Sequence, residues 1–598
     1  MDRRQFLMTG SAVAGAALLP GALFAQTGAD AQLDTLFDRI FRDVVANSPE
    51  LATSLGLDRG PLAGLKGQLS PATAAQRAKD LARAQAALKD LRAVDRAALS
   101  PAQQNNLDVV IYIVENQTVA PAKFGLDSVI RPYTIFQQGG AYFSVPDFLN
   151  TAHTIRTTED AEAYLSRLEA FARVLDEERV EQQAEAARGF LAPAWSLDLT
   201  LVQMQKLRSP AAEASTMVAS LADRAKAANI PGDWRGRAAK IVAGNVYPAL
   251  DRQIELIRSL RSTSKPGDGA WRLPRGAEIY AAALRQATTT DMSPEEVHRT
   301  GLQQVAEISA ELDRILKAQG LTKGSVGERL AALNVRADQL YPNTDEGRAA
   351  LLQSLNDDNA AMYAKLPAFF ATVPTQPLEI RRVPVEIQDG ASNGYYNRAS
   401  LDGSRPAIYF INLKDTGDWP KYSLKALTFH EGVPGHHLQI SLMQESKSIP
   451  MLRKIGGFSA YSEGWALYAE QLADEAGAYA NDLERAGYLQ SFLFRAARLV
   501  VDTGIHTKRW TREQATDYLV KTTGFAQPRS QREVERYCTQ MGQACSYKVG
   551  HMAWTRLRAE AEKARGAKFD LKAFHEVLKE GAMPLTILER RLRERMKA

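Results

Sequence analysis

Apolar residues recur three and four positions apart over most of the chain, which is the periodicity of a helix with one buried face. Several of these stretches open on a hydroxyl residue or a proline, as helices commonly do, and clear examples begin at Ser70, Ser100 and Thr157. Ser293 opens a capping box with Pro294 at the first helical position. The pattern therefore predicts a mainly α-helical protein.

The pattern changes between residues 378 and 413, where β-branched and aromatic residues replace the helical repeat. We expect strands over 379–387 and 407–413, with strand and turn signals between them at Gly394-Tyr395-Tyr396 and Asp402-Gly403-Ser404. These elements predict a small sheet embedded in the helical protein. An exposed edge strand could pair with an extended peptide backbone, and a purely structural hairpin is the alternative.

A length of 598 residues allows several domains or one large helical assembly. The most loop-like stretch runs from 262 to 274 and is rich in Ser, Gly and Pro. It is the best candidate boundary, which gives an N-terminal helical region over 26–260 and a second helical region, with the small sheet, over 275–598.

The N-terminus carries Arg3-Arg4 ahead of a modestly apolar run from about Ala12 to Phe24. Paired arginines before such a run are typical of a twin-arginine export signal, and an ordinary secretory leader is the alternative. The run is too short to span a membrane. We therefore expect residues 1–25 to be removed, and the mature protein to be periplasmic or secreted without stable membrane insertion.

Charge and cysteine content exclude several kinds of protein. A net charge of +5 is small for this length, so nothing indicates binding to nucleic acid. Two cysteines are too few for a disulfide scaffold or a thiolate zinc site. Cys538 and Cys545 could form one bridge only if Met541-Gly542 breaks the helix between them.

Histidines concentrate in one short segment. The chain has only 8, yet His430, His436 and His437 fall within eight residues, and Glu431 follows the first of them. Zinc hydrolases of the His-Glu-x-x-His pattern also place a general base beside a metal ligand. Here the position of the second ligand is occupied by Pro434, so the usual spacing is not met.

A metal site in this segment therefore requires a bulge in the helix. A straight helix would carry a ligand seven residues on about 10.5 Å along its axis, too far to share an ion comfortably with His430. Pro434-Gly435 is a composition that can supply the bulge. One histidine of the pair 436 and 437 would then be the second ligand. Glu463, among aromatic residues on the next strong helix, is the candidate carboxylate ligand.

Four ordered blocks carry a family resemblance. The chain resembles the DUF885 family of domains of unknown function in His430–Gln439, Ser462–Glu470, Val501–His506 and Gln543–Gly550. That family is itself similar to the glutamate-ligand zinc peptidases, which are large helical proteins with a deep channel. The resemblance implies a two-lobed, zincin-like helical fold with a deep central channel.

The resemblance also implies roles for particular residues. Gly435-His436 corresponds to the Gly-His that ends the helical motif of those peptidases, with two residues inserted before it. The implied ligands of one zinc ion, or of another divalent metal, are therefore His430, His436 and Glu463, with His437 as the rival of His436.

Further roles follow from the same comparison. Glu431 would be the general base, Tyr547 would stabilise the oxyanion, and His506 could act as a similar donor. Substrate-binding roles are expected for Arg498 and Lys548 with a carboxylate, and for Tyr395 and Tyr396 along the substrate.

These observations lead to one function and two alternatives. We expect an exported zinc-dependent hydrolase that cleaves short peptides through metal-activated water. The first alternative is a noncatalytic periplasmic protein that binds a metal or a peptide. The second is an amidase for nonpeptide or cell-wall-derived amides.

Overall fold

The computed structural model describes residues 28–385, 388, 393–399 and 405–597. The predicted mainly α fold with a small embedded sheet is confirmed. The capping box predicted at Ser293 is present, with reciprocal hydrogen bonds between Ser293 and Glu296. The predicted export signal over 1–25 and the predicted turn at 402–404 lie outside the described residues.

Fourteen α-helices precede the sheet within the described part of the chain. In chain order they are α1 (Gly28–Ala46), α2 (Pro49–Ser54), α3 (Ala74–Arg92), α4 (Pro101–Phe124), α5 (Ala141–Thr151), α6 (Thr158–Ala187), α7 (Ala194–Arg208), α8 (Thr216–Ala227), α9 (Trp234–Ile241), α10 (Tyr247–Arg261), α11 (Gly276–Thr288), α12 (Pro294–Ala318), α13 (Val326–Asn334) and α14 (Asp345–Phe369).

The sheet and the remaining helices follow. The strands are β1 (Leu378–Arg382), β2 (Gly394–Asn397) and β3 (Ala407–Ile411). The helices are α15 (Lys421–Glu431), α16 (His436–Glu445), α17 (Met451–Lys454), α18 (Ser459–Glu475), α19 (Asp482–Thr507), α20 (Arg512–Thr523), α21 (Gln527–Thr539), α22 (Ser546–Arg565), α23 (Leu571–His575) and α24 (Leu585–Lys597).

The sheet has the strand order β1-β3-β2, so the most apolar strand lies in the middle. β3 pairs in parallel with β1 and antiparallel with β2. Four of the five residues of β3 are buried, which explains its central place. The edge strand β2 is only half-buried, and it runs beside the histidine-bearing helix α15.

Two large hydrophobic cores underlie the helices. One is built mainly from α4 to α11, and the other mainly from α12, α15, α18, α19 and the C-terminal helices. Ile279, Tyr280 and Ala283 on α11 belong to the first core although they follow the loop at 262–274. The proposed boundary in that loop stays a prediction.

Two further observations concern bulk properties. Across the ranges that the structure describes, no helix combines the length and the apolar character needed to cross a bilayer. Cys538 and Cys545 are both buried free thiols, so the bridge considered from their spacing is not formed.

Candidate metal centre

The histidine segment is not a continuous helix. α15 ends at Glu431 and α16 begins at His436, and the four residues between them include a cis Val433–Pro434 peptide bond. Trp465 Nε1 donates a hydrogen bond to the carbonyl of Pro434 at 2.9 Å. The break lies where Pro434-Gly435 predicts it, and it makes His436 independent of the α15 axis.

Glycine is required at the end of this break. A Cβ atom on Gly435 would lie 1.9 Å from the carbonyl oxygen of His430 and 2.4 Å from that of Phe429. Both neighbours are backbone atoms, so no side-chain movement can relieve the overlap. Gly435 therefore allows the chain to pass close enough to α15 for His436 to return towards His430.

Three side chains converge at the break. Each of the residues His430, His436 and Glu463 offers one ligand atom, and these three atoms lie within 4.8 Å of one another. Among the described residues, this is the group of side chains whose atoms are close enough to hold a metal ion. The Nε2 atoms of both histidines lie 3.4 Å from Oε2 of Glu463. The two imidazole rings are nearly perpendicular, with centroids 4.9 Å apart.

The donor set fits a zinc ion. Two neutral imidazoles and one carboxylate are a common ligand set of catalytic zinc, which keeps a fourth position for water or substrate. Oε2 of Glu463 is inaccessible to solvent and has no hydrogen-bond partner, although it faces both imidazoles. A buried acceptor without a partner is costly, and a cation held by the three side chains would remove that cost.

Electrostatics favour an ionised Glu463. Burial opposes its ionisation, but contacts with His430 and His436 hold the pKa of Glu463 well below its usual range. Burial likewise opposes protonation of His430, but Glu463 and Glu470 outweigh it and raise the pKa of His430 to about 9. The cluster therefore attracts a positive charge, which is a proton or a metal ion.

Glu470 was missed as a functional residue by the sequence reasoning. It lies seven residues after Glu463 on α18, so the two carboxylates share one helix face. Nδ1 of His430 donates to Oε1 of the fully buried Glu470 at 2.9 Å. Metal-binding histidines commonly donate their second ring nitrogen to such a carboxylate, which directs the other nitrogen at the ion. The spacing of seven was the signal that could have revealed this role.

Close packing of α18 on α22 brings Tyr547 to the cluster. A Cβ atom on Gly464 would lie 2.4 Å from Cα of Gly550, and one on Gly550 would lie 1.9 Å from the carbonyl of Ala460. The two glycines therefore set the short separation of these helices. As a result the Tyr547 ring lies parallel to the His430 ring, with centroids 6.4 Å apart.

Glu431 and Tyr547 both line the cavity that contains the cluster. Burial raises the pKa of Glu431, and the nearby His436 and His430 partly offset that effect. Burial and the neighbouring Glu463 also raise the pKa of Tyr547. The phenol therefore stays protonated at neutral pH and able to donate a hydrogen bond.

His437 does not face the cluster. Its Nε2 donates to the carbonyl of Gln376 at 3.0 Å, and its Nδ1 lies 3.2 Å from the hydroxyl of Tyr396. Both ring nitrogens are thus used in contacts with the chain. Of the two candidates for second ligand, the structure brings only His436 to His430 and Glu463.

His506 lies away from the cavity, so the donor role expected of it does not fit the structure. Its Nδ1 accepts from the backbone N–H of Ala270 at 2.9 Å, and its Nε2 donates to the carbonyl of Tyr537 at 3.1 Å. Asp502, in the same sequence block, accepts from the hydroxyl of Tyr280 at 2.7 Å. The block Val501–His506 therefore connects α19 to α11 and α21 through hydrogen bonds and has a structural role.

Lys548 is also misplaced for the expected contact with a substrate carboxylate. Its ammonium lies over the ring of Phe492 at 4.3 Å and 3.4 Å from Nδ1 of His551, inside the helical core. Burial lowers the pKa of Lys548 to about 7. It is not among the described residues that line the cavity.

The cavity itself has a volume of about 770 Å³ and is bounded on one side by the sheet. Tyr395, Tyr396 and Arg498 line it, as expected of substrate-binding residues. Three further arginines that the sequence reasoning passed over also line it, namely Arg495, Arg529 and Arg536. Arginines on helices are usually solvated, so only the packing of α19 against α21 reveals them.

Comparisons with known proteins agree with the fold. Two similar solved structures bear the descriptions "putative lipoprotein from Colwellia psychrerythraea" and "putative lipoprotein of unknown function from Shewanella oneidensis". The first is 33% identical with a TM-score of 0.90, over 96% of this chain and 100% of that one. The second is 16% identical with a TM-score of 0.73, over 94% and 99%, and is similar in fold alone. No curated protein matches the chain.

The family suggested by the sequence blocks is confirmed by a match over nearly the whole chain. The model of the bacterial proteins of unknown function termed DUF885 matches residues 49–592, which include the break between α15 and α16 and all three members of the cluster. The chain therefore belongs to the DUF885 family.

Proposed function

We propose that the protein is a zinc-dependent peptidase that cleaves short peptides. The observation that carries this proposal is the convergence of His430, His436 and Glu463 at a break in the helix, with Glu431 beside them in the same cavity. His430 Nε2, His436 Nε2 and one oxygen of Glu463 would hold the ion. When bound there, zinc makes water a stronger acid and polarises the carbonyl of the substrate.

Glu431 is the base in this proposal. Its carboxylate accepts a proton from the attacking water and later gives that proton to the leaving amine. It follows the ligand His430 directly on α15, so its backbone is fixed relative to the cluster. It is not itself a member of the cluster, which leaves its carboxylate available for proton transfer.

Tyr547 is the donor to the oxygen that becomes negatively charged. Its ring lies nearly parallel to that of His430, with centroids 6.4 Å apart, and both residues line the same cavity. A donor that is held in place before the reaction stabilises the transition state more than the ground state. The sequence resemblance implied this role for Tyr547, and His506, the other donor considered, bonds to the backbone of Ala270 and Tyr537 instead.

The sheet gives the cavity a means of aligning a peptide. β2 is one of the two edge strands, and Gly394, Tyr395 and Tyr396 on it line the cavity. An extended peptide can add to such an edge through backbone hydrogen bonds. A volume of about 770 Å³ suits a short peptide better than a folded protein.

We infer that the protein works outside the cytoplasm, in the cell envelope or beyond it. The twin-arginine pattern at the N-terminus supports this, and the similar solved protein that is 33% identical is described as a "putative lipoprotein". Peptides released in the envelope would then be its substrates.

A digest of a broad synthetic peptide library, read by mass spectrometry, tests the function. The zinc-loaded protein should cleave a subset of peptides, and chelator treatment should abolish cleavage. Glu431→Gln should keep about one zinc ion per chain while the rate falls by about 10²- to 10⁴-fold. Glu445→Gln is a matched control, because Glu445 ends α16 and accepts from Thr375 outside the cavity.

Adding muropeptides to the substrates of this digest separates the alternatives. Cleavage of muropeptides but not of ordinary peptides would indicate a cell-wall amidase. Zinc binding without any cleavage would indicate a noncatalytic binding protein. Full activity in Glu431→Gln would exclude the mechanism proposed here.

A further inference from the structure

One wall of the cavity carries a cluster of arginines, which we call the arginine wall. It consists of Arg495 and Arg498 on α19 and of Arg529 and Arg536 on α21, and all four line the cavity. The spacings of three and seven residues put each pair on one face of its helix. Four cations therefore face the space beside the His430, His436 and Glu463 cluster.

The wall has fewer acidic partners than cations. Glu533 on α21 accepts from Nη2 of Arg498 and from Nη2 of Arg536, both at 2.9 Å. One carboxylate is thus shared by two guanidinium groups. Among the described residues, no ion pair within 4.0 Å joins Arg495 or Arg529 to a carboxylate, and Arg529 lies over the ring of Phe525 at 3.8 Å.

Unused hydrogen-bond donors accompany this excess of charge. Nη1 of Arg498 is buried and has no hydrogen-bond partner, and the whole side chain is only 6% exposed. Nε of Arg495 is also buried without a partner, while its Nη1 donates to Ser491 Oγ at 2.6 Å. A buried guanidinium donor without a partner is costly, and an anionic ligand in the cavity would satisfy it.

The wall is near the reaction centre. The guanidinium carbon of Arg498 lies 4.5 Å from the centre of the Tyr547 ring, which lies 6.4 Å from the centre of the His430 ring. The guanidinium of Arg498 is therefore no more than about 11 Å from His430, the sum of these two distances. A peptide advances about 3.5 Å per residue, so this separation corresponds to at most about three residues.

We propose that the arginine wall binds a carboxylate of the substrate, within three residues of the bond that is cleaved. This inference rests on the proposed peptidase function for its substrate class. The carboxylate belongs either to the C-terminus of the peptide or to an acidic side chain, since both present the same group to a guanidinium. Arg498 supplies the unused donor, and Arg495, Arg529 and Arg536 supply the attractive field.

Binding to a catalytically blocked protein tests this proposal separately from hydrolysis. The background is full-length Glu431→Gln, and the probes are four dansyl-labelled tetrapeptides of sequence Ala-Phe-Ala-Glu or Ala-Phe-Ala-Gln, each with a free or an amidated C-terminus. Loss of the recognised carboxylate should weaken binding by about 10- to 100-fold, the strength of a charge-assisted contact. Weaker binding of the amidated peptides would identify the C-terminal carboxylate as the recognised group. Weaker binding of the Gln peptides would identify the Glu side chain.

Variants of the wall complete the test. In Arg498→Met and Arg529→Met, the affinity for the peptide with the recognised carboxylate should exceed that for its neutral counterpart by only about threefold or less. The affinity for the neutral peptide should be unchanged. Arg529→Met is included because Arg498 also holds Glu533 and Tyr537, so its loss could disturb folding. Arg532→Met is the matched control, since Arg532 lies on the same helix but is exposed and outside the cavity.

Each outcome decides the proposal. It is overturned if all four peptides bind equally well, if none binds at millimolar concentration, or if both wall variants keep the full preference. Because cleavage is not measured, a protein that prefers carboxylates but cleaves no peptide would contradict the proposed function and support the role of the arginine wall.

Discussion

Nδ1 of His430 lies 2.9 Å from Oε1 of Glu470, and both side chains are buried. This contact decides which nitrogen of His430 carries the proton, because a carboxylate accepts and the ring must donate. In the neutral ring, which is the form that binds a metal ion, Nε2 then keeps the lone pair and lies 3.4 Å from Oε2 of Glu463. The candidate metal centre therefore depends on a residue that is not itself a ligand.

The first prediction concerns that contact. Glu470→Gln should weaken zinc binding by about 10- to 100-fold, as is typical when the carboxylate behind a histidine ligand is lost. Competition with a fluorescent zinc chelator measures the change. Glu475→Gln on the same helix is the control, because Glu475 pairs with Arg558 near the surface. An unchanged affinity in Glu470→Gln would contradict the role of Glu470.

The second prediction distinguishes the two adjacent histidines. His436→Gln should lower zinc content to well under one ion per chain, because one of three ligands is removed. His437→Gln should keep the ion and lower stability instead, since His437 holds the carbonyl of Gln376. Mass spectrometry measures the metal content, and thermal unfolding measures the stability. The reverse result would make His437 the ligand.

The third prediction concerns the break between α15 and α16. Gly435→Ala places a methyl group against two backbone carbonyls, so the break must shift and His436 must move from the cluster. Zinc binding should be lost while the helical signal in circular dichroism is largely kept. Gly457→Ala is the control, because no atom lies within 4 Å of a Cβ atom built there. Normal zinc binding in Gly435→Ala would show that the break is not needed.

The fourth prediction concerns acid stability. Burial lowers the pKa of His153, His437 and His506 to about 4, from an ordinary value of about 6.5. Between these values the unfolded chain binds protons that the folded chain does not, so stability must fall as the pH falls from about 6.5 to about 4. Above that window their contribution should be constant. Urea unfolding of the metal-free protein at several pH values measures the slope.

His506→Asn tests the assignment of one part of this slope. The variant should be less stable at pH 7.5 by about 1–3 kcal/mol, because buried hydrogen bonds to Ala270 and Tyr537 are lost. It should also show a shallower loss between pH 6.5 and 4. A variant with the original slope would show that His506 does not titrate as its burial requires.

The sequence was informative where chemistry is local. The helical periodicity, the capping box at Ser293, the small sheet and the break at Pro434-Gly435 are all visible as residue patterns, and the structure contains each of them. Local patterns succeed because capping, turns and helix breaks depend on neighbours within a few residues.

The sequence was less informative where distant elements meet. His506 shares α19 with the cavity-lining Arg498, and Lys548 directly follows the cavity-lining Tyr547 on α22. Both side chains nevertheless face other helices. Which face of α19 or α22 meets the cavity depends on packing between helices far apart in the chain. The arginine wall could not be predicted for the same reason. Its members come from two helices, and each arginine considered alone has the sequence context of a surface residue.

Anomalous scattering from crystals of the zinc-loaded protein, recorded on both sides of the zinc absorption edge, tests the central claim most directly. The account predicts one strong peak per chain, bonded to Nε2 of His430, Nε2 of His436 and an oxygen of Glu463 at about 2.0–2.2 Å. Absence of a peak between these three residues, or a peak held by His437 instead of His436, would contradict it.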